Sequence, residues 1–98
     1  MELRKKTELI VIHCAATKAS MDIGASEIKK WHVDDNGWDD IGYHYIIKRG
    51  GLVEVGRPEA FQGAHAPAAN SKSIGICLVG GMSEDGDDEN NFTIEQFL

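Results

Sequence analysis

Two short apolar runs constrain the fold of this 98-residue chain more than any other feature of its sequence. The first is Leu-Ile-Val-Ile-His-Cys at residues 9–14, and the second spans Ser73 to Val79. Both are rich in β-branched residues and predict strands inside a sheet, and the first, an unbroken run, predicts a central strand covered on both faces. A chain of this length forms one small domain with one modest core.

A helix is predicted between the two runs. Its apolar stripe at helical spacing consists of Ala25, Ile28, Trp31 and His32. Ser26 is a candidate N-cap and Asn36-Gly37 a C-terminal stop, so the helix should have about three turns. Its stripe should pack on the sheet.

A hairpin is predicted after the helix, because the strand-like segments 43–49 and 52–55 flank Gly50-Gly51, which can take the positive φ of a tight turn. Residues 57–72 contain both prolines and predict an ordered irregular crossing. These elements indicate an α/β fold with a mixed central β-sheet flanked by helices, and residues 1–98 form a single domain.

The last fifteen residues predict a solvated acidic loop and then a new helix. The loop covers 84–91, and Thr93 with Gln96 has the form of a capping box. Because so short a helix cannot sustain itself, we expect the domain to continue beyond Leu98. Without that continuation, an apolar face of the sheet should be exposed.

Charge and cysteine content narrow the possible partners and the compartment. The net charge of −6 is concentrated in the acidic loop, and the one basic cluster, residues 4–6, predicts a solvated arm and no nucleic-acid partner. The early apolar run is too short for a signal peptide or a membrane span, so cytoplasmic synthesis is expected, without a membrane partner. Cys14 and Cys77 are expected to be buried and reduced.

The four histidines, at positions 13, 32, 44 and 65, match no local zinc motif. His13 ends a strand and should point into the cleft where such sheets bind ligands, so it is either a metal ligand or a hydrogen-bonded core histidine. Because neighbouring strand side chains diverge, Cys14 cannot easily share an ion with His13, and only one of Tyr43 and His44 can reach the cleft. His32 is expected to pack, whereas His65, in a loop of small residues, could be functional or structural.

Four blocks, residues 12–18, 27–32, 36–49 and 73–81, together carry a resemblance to a known family. In these blocks the chain is similar to the type-2 N-acetylmuramoyl-L-alanine amidases, in particular to phage lysozymes, with peptidoglycan recognition proteins as more distant relatives. The resemblance implies the amidase fold of those proteins, C-terminally truncated, with residues 1–98 as the N-terminal two-thirds of an incomplete domain.

The resemblance also implies roles for three residues. His13 matches the first zinc ligand, Tyr43 the tyrosine that contacts the metal-bound water, and His65 a histidine that lines the substrate groove. Read without the resemblance, Tyr43 is a strand aromatic that packs across the hairpin. The family's other zinc ligands, a histidine and a Cys or Asp, and a catalytic lysine of the phage enzymes would lie beyond position 98.

The activity implied is zinc-dependent hydrolysis of the amide between N-acetylmuramic acid and L-alanine in bacterial peptidoglycan, with one Zn²⁺ per complete domain. An endolysin of this kind, made without a signal peptide, would act on the cell wall after release by another protein. Two alternatives stay open: a peptidoglycan-binding module that does not cut, and a regulatory module whose basic arm contacts a phage-type RNA polymerase.

Overall fold

The predicted mixed sheet is present. A computed structural model describes all of residues 1–98, with these elements: β1 (Leu9–Cys14), β2 (Thr17–Lys18), helix α1 (Ala25–Lys30) continued by a π-helical segment (Trp31–Asp35), β3 (Tyr45–Ile47), β4 (Val53–Val55), a 3₁₀ turn (Asn70–Lys72), β5 (Ser73–Leu78), β6 (Gly81–Met82) and a last 3₁₀ turn (Glu95–Phe97). The main sheet has the order β1-β5-β3-β4, and β2 pairs with β6 separately. Strand β5 is parallel to both neighbours, whereas β3 and β4 are antiparallel. The α/β class is therefore confirmed.

Strand β1 is at the edge of the sheet, so the prediction of a central strand was wrong for it. Only β5 pairs with β1. Ile10 and Ile12 are 61% and 65% exposed. An unbroken apolar run indicates that both faces of a strand can be buried. It does not indicate whether the strand pairs with one neighbouring strand or with two.

One face of the sheet packs on the helix, and the other is open. The strand register puts a set of apolar residues on the open face: Ile10, Ile12, Ile74, Ile76, Tyr45, Ile47, Val53 and Val55. Val53 and Val55 are 54% and 70% exposed. The expected exposure of an apolar sheet face is therefore found in the structure. The opposite face contributes Ile46 and Cys77 to a core completed by Ile28, Ile41 and Val79.

The helix begins at Gly24 and not at Ser26, so the predicted N-cap was wrong. The amide of Ala25 donates to a carboxylate oxygen of Glu54 on β4 at 2.8 Å, and the amide of Gly24 donates to Glu27. A side chain distant in sequence thus caps this helix, which local pattern could not reveal. The predicted length of about three turns and the stop at Asn36-Gly37, where Gly37 has φ +74°, are confirmed.

The irregular crossing is as predicted, and the hairpin is present with strands shorter than the predicted segments 43–49 and 52–55, so that Tyr43 lies before β3. Gly51 has the positive φ of +93° in the β3–β4 turn. Within the crossing, Arg57 is buried and its guanidinium donates to the backbone carbonyls of Asp40, Ile41 and Gln62. The bonds to Asp40 and Ile41 tie the start of the crossing to the segment before β3, and the bond to Gln62 holds the crossing itself.

The two cysteines differ. Cys77 is buried, whereas Cys14 is exposed, and both are free thiols. The expectation of two buried thiols was thus wrong for Cys14, because its side chain lies on the open side of an edge strand.

The chain ends were partly predictable. Thr93 and Gln96 form the reciprocal bonds of a capping box, with the Gln96 amide donating to the Thr93 hydroxyl and the Thr93 amide to the Gln96 side chain. The solvated arm predicted for residues 4–6 is confirmed for the exposed Lys5 and Lys6 but not for Arg4, which is half-buried and donates to the Glu59 carbonyl, next to a Leu3–Phe61 bridge. A polymerase contact through this arm stays a prediction. No helix in the structure combines the length and the apolar character that crossing a bilayer requires.

Two matched substitutions test the one-sided packing of the sheet. Ile46→Val should lower the free energy of unfolding by about 1 kcal/mol, because Ile46 is fully buried. Ile12→Val removes the same methyl group at an exposed position and should cost much less. Urea unfolding of both variants measures the difference, and equal losses would contradict this packing.

Candidate active site

Three aromatic side chains meet at a cleft on the helix side of the sheet. His13 comes from the end of β1, Tyr43 from the segment before β3, and His65 from the irregular crossing. The ring centres of His13 lie 5.4 Å from Tyr43 and 5.0 Å from His65, and those of Tyr43 and His65 are 6.5 Å apart. Residues up to 52 positions apart in sequence therefore form one cluster.

The alternation expected along the strands holds at this cleft. His13 is half-buried beside Tyr43, whereas Cys14 is exposed on the other side of the sheet. His44 is fully buried, so Tyr43 is the one of the pair that borders the cleft. The His44 ring donates from Nε2 to the Phe61 carbonyl and accepts the Gly75 amide at Nδ1, which makes it a satisfied core histidine.

All four histidines have lowered pKa values. Burial is the first cause at each, and it brings the pKa of His65 to about 4, assisted by the nearby His13 and His44. Desolvation disfavours the charged imidazolium. The rings are therefore neutral near pH 7, which is the form in which imidazole binds a metal ion.

Tyr43 is held in its protonated form. Burial, followed by the proximity of Cys77, raises the pKa of Tyr43 to about 12. Its ring packs against the core, and it lines a small cavity with Ile28, Trp31 and His32. The phenol is therefore a hydrogen-bond donor throughout the physiological pH range.

A wider cavity of about 320 Å³ adjoins the cluster, lined by His65 together with Trp38, Ala64, Pro67 and Asn70. Asn70 accepts the backbone amides of His65 and Ala66 at its side-chain oxygen, which fixes the loop that carries His65. The cavity could accommodate part of an extended ligand beside Tyr43 and His13.

Two further residues border the cleft: the packing predicted for His32 is confirmed, and Trp38 was not singled out by sequence reasoning. His32, assigned to packing, accepts the Gly42 amide at Nδ1 and its ring lies 5.6 Å from Tyr43. Trp38 packs on His32 with ring centres 4.5 Å apart. The helical stripe did predict that His32 would be partly buried, but no local signal indicated that the π-helical segment would bring it to the cleft.

The chain does not by itself hold a complete set of metal ligands. No three His, Cys, Asp or Glu side chains lie close enough together to bind one ion. His13 fits a single ligand position, since its ring is neutral and its Nδ1 makes no hydrogen bond within the chain.

Comparisons with known proteins agree with this architecture. The chain is 52% identical over 93 residues to an endolysin of Enterobacteria phage T3, covering 95% of this chain and 61% of that one. The solved LysCS endolysin amidase from Clostridium intestinale superposes with a TM-score of 0.74 at 29% identity, covering 97% of this chain and 55% of that one. The chain thus spans about three-fifths of the length of the phage endolysins that it matches.

A more distant match is the complex of the peptidoglycan recognition proteins LCa and LCx with tracheal cytotoxin, with a TM-score of 0.63 and 30% identity over 76% of this chain and 48% of that one. The family described as N-acetylmuramoyl-L-alanine amidase matches residues 3–97. With nearly the whole chain matched, and the predicted sheet and cleft in place, this protein belongs to the type-2 N-acetylmuramoyl-L-alanine amidase family.

Proposed function

We propose that this chain is the cleft-forming part of a zinc-dependent amidase that cuts the bond between N-acetylmuramic acid and L-alanine in bacterial peptidoglycan. The single observation that carries the proposal is the cluster of His13, Tyr43 and His65 at a cleft in a fold shared with endolysins and amidases. The likeness to phage endolysins supports action on the cell wall after release by another protein.

His13 is the proposed metal ligand of this chain. Its neutral ring and its free Nδ1 support that role. Because protein zinc sites use three or four protein ligands, the site needs further ligands from outside residues 1–98. When bound, zinc would polarise the amide carbonyl and lower the pKa of a water molecule to about 7.

Tyr43 is the proposed catalytic donor. Amide hydrolysis develops negative charge on the carbonyl oxygen, and a neutral phenol at the cleft can donate a hydrogen bond to it. The pKa of about 12 supports this role, because the phenol keeps its proton while it donates. Its half-buried ring is held by core contacts, so little reorganisation is needed during the reaction.

The cavity beside His65 is the proposed substrate groove. Trp38 and Pro67 supply apolar contact area, Asn70 supplies a polar side chain, and the His65 ring borders the cavity. An extended glycan or stem peptide lying in this cavity would pass next to Tyr43 and His13.

Recognition without hydrolysis is the second candidate. The likeness to a recognition-protein complex that holds tracheal cytotoxin supports binding by this fold.

Zinc dependence separates the two candidates. The natural gene product and residues 1–98 are compared for zinc content and for lysis of purified peptidoglycan. The amidase proposal expects about one zinc per chain in the natural product, lysis that a chelator abolishes, and neither property in residues 1–98. Binding without lysis or zinc in the natural product would instead support recognition.

Tyr43→Phe tests the catalytic donor. Loss of the phenol hydroxyl should lower kcat of the natural product about 100-fold or more and change KM little, because the bond strengthens in the transition state. Tyr45→Phe is the matched control, since the Tyr45 hydroxyl bonds to Glu59 at an exposed position and should leave kcat unchanged. Equal effects of the two substitutions on kcat would exclude this role.

A further inference from the structure

The rings of His13 and His65 are joined by a nitrogen-to-nitrogen contact. His13 Nε2 lies 2.9 Å from His65 Nδ1, and the two rings meet edge to face at 80°. On its other side, His65 Nε2 lies 3.4 Å from the hydroxyl oxygen of Ser73, which is fully buried. Three side chains thus form a hydrogen-bonded chain that leads from the cleft into β5.

A hydrogen bond between two neutral imidazoles needs one protonated and one bare nitrogen. If His13 donates from Nε2, His65 accepts at Nδ1 and donates from Nε2 to Ser73. In the reverse order, Ser73 donates to His65, His65 donates to His13, and the proton of His13 lies on Nδ1. Only the first order leaves His13 Nδ1, which has no partner in the chain, bare and able to bind a metal ion.

The ring of His65 is fixed in place by the backbone around it. A Cβ added at Gly63 or at Gly75 would come within 2.5 Å of His65 Cδ2, so both glycines leave space that the ring fills. Asn70 holds the backbone amides of His65 and Ala66. The space left by the two glycines and the hydrogen bonds of Asn70 together orient Nδ1 of His65 toward His13.

We propose that His65 is the positioning residue of His13: its Nδ1 accepts a hydrogen bond from the Nε2–H of His13, its own Nε2–H donates a hydrogen bond to the Ser73 hydroxyl oxygen, and Nδ1 of His13 is left as the metal-binding atom. The proposal rests on the proposed function, in which His13 is a metal ligand. Ligating histidines are commonly oriented by a partner on their second nitrogen, and here a neutral histidine is that partner in place of a carboxylate or carbonyl.

This arrangement limits what His65 can offer a substrate. Both of its nitrogens are engaged within the chain, so its contact with a ligand in the groove is through the carbon edge and face of the ring. The polar recognition in the groove then falls to other groups, among them the Asn70 side chain.

Nitrogen NMR of the metal-free chain tests the proposal without any activity. In the ¹⁵N-labelled chain we expect a scalar coupling across the hydrogen bond between His13 Nε2 and His65 Nδ1, with the proton on His13 Nε2 and Nδ1 bare. His65→Leu should abolish the coupling and let the His13 proton exchange between both nitrogens. His65→Asn, which is the same size as Leu but keeps an acceptor near the position of Nδ1, should retain the proton on His13 Nε2.

Gly75→Ala tests the position of the His65 ring from strand β5, because the new methyl group would overlap that ring. The added methyl group should push the His65 ring away and weaken the coupling, while the backbone amide spectrum reports whether the fold is kept. A His13 proton on Nδ1 in the unsubstituted chain would overturn the proposal, as would identical His13 spectra in the Leu and Asn variants. The position of the His13 proton in the unsubstituted chain tests the proposal even where a variant fails to fold.

Metal affinity supplies the second readout. In the natural gene product, His65→Leu should weaken zinc binding 10- to 100-fold in competition with a chelating dye, and His65→Asn should restore most of it. Failure of the proposed function can be distinguished from failure of this inference. Lysis without zinc would refute the zinc-dependent mechanism but would leave the scalar coupling between the His13 and His65 rings intact.

Discussion

The double parallel pairing of β5 is the constraint on which the rest of the structure depends. Strand β5 is hydrogen-bonded to β1 on one side and to β3 on the other, and parallel neighbours can be joined only by long crossovers. His13 pairs with Cys77 of β5, and Tyr43 precedes the β3 residue that pairs with Ile76. The insertion of β5 therefore brings two side chains 30 residues apart in sequence close enough for their ring centres to lie 5.4 Å apart.

Buried polar groups then attach the irregular crossing to that sheet. His44 bridges the Gly75 amide of β5 and the Phe61 carbonyl of the crossing, and Arg57 binds three carbonyls without a carboxylate partner. Every buried side-chain nitrogen and oxygen in the chain has a partner. Because an unpaired buried polar group costs about 1–3 kcal/mol, each of these bonds resists displacement of the loop that carries His65.

The same burial governs the chemistry of the cleft. Desolvation lowers the pKa values of His13 and His65 and raises that of Tyr43, so the rings are neutral and the phenol keeps its proton. A neutral imidazole is the form that binds a cation, and a neutral phenol is the form that donates to a developing oxyanion. The proposed metal ligand His13 and the proposed donor Tyr43 are therefore both in the required protonation state at one pH.

The amino-acid sequence by itself determined the local elements: two apolar runs as strands, a helix of about three turns, the hairpin at Gly51 and the capping box of Thr93 and Gln96. Each depends on neighbours within a few residues, so periodicity and turn chemistry suffice to predict it. Ordered blocks along the chain also identified the family and singled out His13, Tyr43 and His65. The tertiary structure alone decided that β1 is an edge strand, that Glu54 caps the helix, that His32 and Trp38 border the cleft, and that His65 contacts His13. The edge position of β1, the Glu54 cap and the contact of His65 with His13 depend on pairs of residues 29 to 64 positions apart, and such pairs leave no periodic trace in a single sequence.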